Sequence, residues 1–363
     1  MKLRSIIILL FFLFIFSCND SDIGIFYGLK NEEKIRDRSL PNEVTVGSMT
    51  RLGMNLYIGA GNIYTKTSQT EEEWRVVNPP SGFDLSVEVV SNGTNLYAIY
   101  YTKNSAKKGF FKLDGNVWEQ ITLGIPGTIE SVKGANNQIF ISTRINSNTA
   151  YLYHFDGTNN FPTQIINNMT GSLFNVIFDG TFYWIYNYNK IFRGNSPINP
   201  FTNIFSIEDH YEIKGIMELN NNIFFTYSSK RNLRGYIGVI NSAGIKINEH
   251  NIGSFMLNGL KTFTVTGIEE GVNKEYKFLL CGTAGRGYYQ LLNPSENNIE
   301  LQRPRNNILS ENYNSAIDLQ NAVVLDFFID PPDAPDGALY ALTATKGLWK
   351  NTVDGGYRTW SIE

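Results

Sequence analysis

Three histidines, two cysteines and one glycine-rich run are the residues of this chain that invite chemistry first. His154, His210 and His250 stand far apart, whereas metal sites draw ligands at close spacing, so they read as structural or surface groups and no metal or cofactor is expected. The run Cys281-Gly282-Thr283-Ala284-Gly285-Arg286-Gly287 follows one strand-like segment and leads into another. A phosphate cradle opens on a helix N-terminus instead, so this run reads as a turn. Cys281 closes the apolar run Phe278-Leu279-Leu280-Cys281 and reads as a small buried hydrophobe. There is no serine nucleophile elbow, no Cys-x-x-Cys pair and no His-Glu-x-x-His, so no catalytic group is assigned. What remains is charge on loops. Lys230, Arg231 and Arg234 form a basic hairpin, and 286–305, with Arg286, Arg303 and Arg305, is the longest polar insertion. Loops on a rigid scaffold carry function, so these six are the candidate partner-docking residues. Asp330 to Gly337, rigid and acidic, reads as a connector or a second docking loop.

The other cysteine raises a different chemistry. Lys2 and Arg4 precede an unbroken apolar run from Ile6 to Phe16, and Ser17-Cys18 follows it. A helix crossing the hydrocarbon core needs about 20 apolar residues, so this run has the length of a signal-peptide core. Ile15-Phe16-Ser17-Cys18 resembles the lipobox of bacterial lipoproteins. That resemblance implies cleavage before Cys18, a diacylglycerol thioether on its thiol and an acylated new amino terminus. With each buried CH₂ contributing about 0.8 kcal/mol, several such chains anchor a protein to a membrane for good. Phe16 is bulkier than the usual residue at its place, which is similar to the relaxed lipoboxes of spirochaetes. The expected division is a signal peptide at 1–17, a lipidated terminus and tether or cap at 18–41, and a folded domain at 42–363, with Ile23 to Tyr27 able to add to a sheet edge.

Net charge is −3, against the basic surface that general nucleic-acid binding wants. With Cys18 lipidated, Cys281 has no partner, and a chain this long buries enough core without a disulfide.

The elements that must position these residues repeat. A turn with Gly or Asn, then an apolar strand with Tyr or Phe, recurs around Tyr57, Tyr97, Phe140, Tyr183, Phe224, Phe278 and Tyr340, at intervals of 40, 43, 43, 41, 54 and 62 residues. A short apolar strand precedes each copy: Val44 to Val46, Val87 to Val90, Ile129 to Val132, Phe174 to Phe178, Ile213 to Met217, Phe263 to Val265 and Val323 to Ile329. A third strand follows each, and a fourth closes most, as at Trp118 to Ile121 and Thr359 to Ile362. The runs alternate, are bounded by Gly, Asn, Asp and Pro, and lack helical period. A lone four-strand sheet leaves two apolar faces bare, and radial stacking covers both. The expectation is an all-β chain, a β-propeller of seven four-stranded blades, with its last unit complete in itself.

Thr352-Val353-Asp354-Gly355-Gly356-Tyr357-Arg358-Thr359-Trp360 resembles the Asp-box of sialidase-like propellers, with one extra residue before Thr359 and a looser echo at Asp114 to Trp118. In that motif Asp and Gly shape a hairpin and the Trp packs between sheets, which implies fold and not catalysis. Lipobox and repeats together resemble spirochaete-type outer-membrane lipoproteins with a propeller domain and, in architecture only, BamB-like accessory lipoproteins of the β-barrel assembly machine. This implies a non-enzymatic interaction scaffold, lipid-anchored in the cell envelope at the outer membrane, with an envelope protein as partner. The alternatives are a surface-exposed adhesin or ligand-binding lipoprotein, and a propeller glycosidase, which would need carboxylates converging at the central opening.

Overall fold

The computed structural model describes residues 40–41, 44–67, 73–103, 105–147, 149–158, 160–171, 173–269, 272–331, 336–354 and 357–363. The signal peptide expected at 1–17, Cys18 and all but Leu40 and Pro41 of the tether expected at 18–41 lie outside the described residues. From Leu40 onward the chain forms seven antiparallel sheets, six of four strands and one of three. Each is a meander of consecutive strands, spanning 48–77, 85–121, 128–169, 175–206, 211–253, 257–292 and 324–362; these are blades 1 to 7. The first strand of each blade touches the first strands of its neighbours, blade 7 returning to blade 1, so the ring closes around an axis lined by first strands. This is the expected β-propeller.

The core explains why. It divides into seven apolar clusters, each shared by two adjacent blades. In Phe278–Cys281 of blade 6, Leu279 and Cys281 pack toward blade 5 while Phe278 and Leu280 pack toward blade 7. The same split puts Leu96 and Ala98 against blade 1, and Tyr97 and Ile99 against blade 3. Period-2 alternation with both faces apolar is what a doubly covered sheet demands. Where inner strands meet, a side chain would not fit. A Cβ on Gly59 would lie 2.5 Å from the Val87 carbonyl carbon, and one on Gly282 would lie 2.4 Å from the Val324 oxygen.

One expected strand is corrected, and one blade departs from the regular pattern. Val44 to Val46 is not a strand; blade 1 begins at Ser48–Leu52, and Val46 instead donates its N–H to the Thr343 carbonyl at 2.9 Å. Together with Leu40 it fills the joint with Tyr340, Leu342 and Leu348, and among the described residues no strand is exchanged between blade 7 and blade 1. Among the described residues blade 6 has three regular strands. Its fourth place holds one bridge, Gln290 to Gln302, with both N–H···O distances 2.8 Å. The polar insertion accordingly starts later than 286: Tyr288–Leu292 is a strand whose first residue is fully buried.

The insertion after that strand carries a 3-10 turn at Tyr313–Ser315 and a short helix at Ile317–Gln320. It is fastened to the outer edge of blade 7. Glu311 N–H donates to the Arg358 carbonyl at 2.9 Å, and the Asn312 side chain accepts from Trp360 N–H and donates to Trp360 O, both at 2.8 Å. The insertion thus satisfies backbone groups that an open edge strand would leave unpaired.

Candidate functional site

The six basic docking candidates separate into two groups. Lys230, Arg231 and Arg234 occupy the turn between the second and third strands of blade 5, and Arg286 occupies the equivalent turn of blade 6. Antiparallel meanders put such turns at the same end of every blade, so the four share one face of the ring. Phe255, in the link between the two blades, joins them. The Arg286 guanidinium lies 4.9 Å from its ring centroid, and the Phe255 carbonyl abuts Gly235, next to Arg234. Lys230 is engaged, with its ammonium 3.6 Å from the Tyr188 ring centroid and 3.9 Å from a Glu212 oxygen. Arg231, Arg234 and Arg286 are exposed and have no ion pair among the described residues. The turn is held by its own backbone, Ser229 N–H to Arg234 O at 2.9 Å and Leu233 N–H to Ser229 O at 3.0 Å. Leu233 sits at φ 56° and is 52% exposed, so an apolar side chain stands among the arginines.

Arg303 and Arg305 are elsewhere, on the rim of blade 6. They line a cavity of 980 Å³ where the fourth strand is missing, with Gln290, Gln302, Asn307 and Gln320. Arg303 also lies beside the Tyr313 phenol, which burial pushes up to about 12 against the pull of that guanidinium.

The other concavity described is the axial channel, 390 Å³ and lined by the first strands of all seven blades. Two of its four charged lining residues, Lys133 and Arg51, are neutralised in place. Lys133 donates to Glu88 at 3.0 Å, and Glu88 also accepts from Ser131 Oγ and Val132 N–H, both at 2.8 Å, tying blade 2 to blade 3. Arg51 pairs with Asp330 at 2.5 Å, tying blade 1 to blade 7. Asp326 differs: it forms no ion pair among the described residues, while protein surrounds it and leaves it partial contact with the channel. Burial raises its carboxyl above the usual carboxylate range, opposed by the Phe327 N–H it accepts and by Lys261 and Lys133.

A carboxyl raised in the folded state contributes stability below its unfolded pKa, about 3.9, and that contribution is lost as pH rises through the folded value. Asp326→Asn is therefore expected to raise the melting temperature at pH 7. The gain should vanish below about pH 4, where the natural carboxyl is protonated as well. Melting curves of both proteins across that range check it.

The remaining sequence candidates are scattered. His154 is buried, its Nε2 2.7 Å from Gln138 Oε1, while His210 lies 3.2 Å from Glu208. Among the described residues no group of three or more His, Cys, Asp or Glu is placed to hold a metal. Cys281 is fully buried, and burial pushes its thiol far above the ordinary range. In the glycine-rich turn Thr283 Oγ donates to Gly287 O at 2.8 Å and accepts from Arg286 N–H at 3.0 Å. Thr343, Lys346 and Gly347 repeat that pattern in blade 7. Asp330 is buried, and Asp336 accepts from Thr266 N–H at 3.0 Å, so both described ends of that acidic loop are tied down. Trp360 of the Asp-box-like segment is buried between blades 6 and 7, its ring 5.6 Å from Tyr288. Sequence reasoning missed Phe255, Leu233 and the amide lining of the rim cavity; only the density of Asn and Gln in that insertion hinted at the last.

No protein-family profile and no curated protein matches this chain. Solved structures do match, at the level of fold. An ancestral GH74 enzyme superposes with a TM-score of 0.60 at 12% identity, covering 88% of this chain and 47% of the enzyme, so the chain spans about half that enzyme's length. YCF48 bound to D1 peptide gives 0.56 at 12% identity, covering 87% of this chain and 94% of that one. Domains 1–2 of Drosophila semaphorin 1a give 0.51 at 10% identity, with 86% of each chain covered. Geometry and likeness agree on the class: the chain is a seven-bladed β-propeller.

Proposed function

We propose that this chain is a non-enzymatic docking scaffold of the cell envelope, tethered by lipid on Cys18 at the outer membrane and engaging an envelope protein, with the β-barrel assembly machine as the first candidate. The observation that carries the docking reading is the exposed arginine surface around Phe255. Arg231, Arg234 and Arg286 stand on turns of adjacent blades without carboxylate partners among the described residues, and Leu233 projects beside them. Unpaired guanidiniums around an apolar group suit a partner that brings carboxylates. Tethering concentrates such a surface near membrane partners. The likeness to a propeller solved with a peptide is compatible with this reading and is a likeness of fold alone. For a glycosidase, two suitably spaced carboxyls are needed. Asp326 is the one carboxyl among the described residues lining the channel, and nearby Glu88 and Asp330 are committed to Lys133 and Arg51, which favours binding over that chemistry.

The test is co-purification of the full chain from gently solubilised membranes. A barrel-assembly component should accompany the natural protein and be lost with Arg231→Glu/Arg234→Glu. Recovery of both proteins without any companion would overturn the reading. Protease treatment of intact cells adds the side of the membrane: protection is expected, and digestion would favour the surface-binding alternative.

A further inference from the structure

We infer that the rim cavity of blade 6 is the seat of an extended acidic peptide segment of the partner, with Arg303 and Arg305 receiving its carboxylates. This deepens the docking reading and rests on it. Three observations converge. Blade 6 alone lacks a regular fourth strand among the described residues, and one bridge at Gln302 leaves 980 Å³ open beside it. In a chain of net charge −3, this cavity carries Arg303 and Arg305 against Glu300, both residues exposed and neither in an ion pair among the described residues, with Arg303 also beside the Tyr313 phenol. Gln290 Oε1 is buried at its wall with no hydrogen-bond partner. A buried acceptor left unmet costs free energy, and an N–H arriving with a ligand relieves it.

The lining selects the ligand class. Side-chain amides offer a donor and an acceptor each, matching the alternating N–H and C=O groups of an extended main chain. Two guanidiniums two residues apart suit carboxylates spaced along such a chain. Leu292 and Ile308, 41% and 38% exposed, offer apolar contact at the same wall. The one aromatic lining residue, Phe278, is only 2% exposed, so the cavity has no platform on which a sugar ring would stack. An acidic peptide therefore fits better than an acidic oligosaccharide.

The test uses the full chain and a fluorescein-labelled peptide of alternating Glu and Val, read by fluorescence polarisation. Saturable binding is expected, weakened about tenfold or more by Arg303→Gln/Arg305→Gln, as befits the loss of two charge-assisted contacts. Gln290→Leu should weaken it less, and Arg231→Glu/Arg234→Glu should leave it unchanged. Melting curves of the groove variants should match the natural protein, since the arginines are exposed. No binding by the natural protein, equal binding by the arginine variant, or displacement by polygalacturonate but not by unlabelled peptide would each overturn the inference. Partner capture in the membrane experiment would then still stand or fall by itself, so the two failures are distinguishable.

Discussion

Glu363→Ala is expected to destabilise the domain by about 3–5 kcal/mol, the range for removing one partner of a buried ion pair. Lys66 of blade 1 is 2% exposed and its ammonium meets Glu363, which follows directly on the outer strand of blade 7. Glu363 also accepts from Trp74 Nε1 at 3.1 Å and lies 3.4 Å from Lys350. The Lys66 and Trp74 contacts cross the joint between the first and last blades, where among the described residues no shared strand holds the ring shut, and the Lys350 contact braces Glu363 from within blade 7. Burial already lowers the Lys66 pKa, with Glu363 pulling it back up. Without the carboxylate it falls further. A lysine depressed in the folded state penalises folding at low pH, and the penalty fades as pH rises through the folded value. The deficit of the variant should therefore shrink toward alkaline pH. Chemical denaturation at two pH values measures it; a deficit unchanged between them would contradict the account.

Arg358→Met is expected to cost about 3 kcal/mol or more, because it leaves buried acceptors unmet. Arg358 is 4% exposed. Its guanidinium donates to Asn351 Oδ1 at 2.8 Å, to Gly337 O at 2.7 Å and to Asp336 O at 3.2 Å, and stacks 4.7 Å from the Phe263 ring. Burial pushes its pKa down to about 10, still well above neutrality, so it is charged where it sits. Arg358→Lys should recover little, since a compact ammonium does not reproduce the planar fork. Equilibrium denaturation separates this from a surface effect, which would stay within about 0.5 kcal/mol.

These two residues show how far the sequence could be read. The repeat was legible because every blade must bury both faces, and Leu279 and Cys281 against Phe278 and Leu280 carry that demand in their order. Trp360 was legible through its hairpin. Arg358 was not: a cation in a strand gives no sign that carbonyls wait for it. Blade 6 departs from the repeat at its fourth place, where the polar insertion contributes one bridge, at Gln302. The abundance of Asn was the underused signal. Asn136-Asn137 and Asn220-Asn221 both take positive φ, as two-residue hairpins require, and Asn92 accepts from Thr94 and Asn95 N–H. The rim cavity and the Phe255 junction arise from packing between segments remote in sequence, so no local pattern announces them.

Photo-crosslinking in intact cells tests the docking claim most directly. A crosslinking amino acid would replace Arg234 or Arg286 on one face of the ring, and Met54 or Asn221 on the turns at the opposite end. The account predicts one protein captured from Arg234 and from Arg286, and not from Met54 or Asn221. Capture from the opposite turns alone, or from none of the four positions, would contradict it.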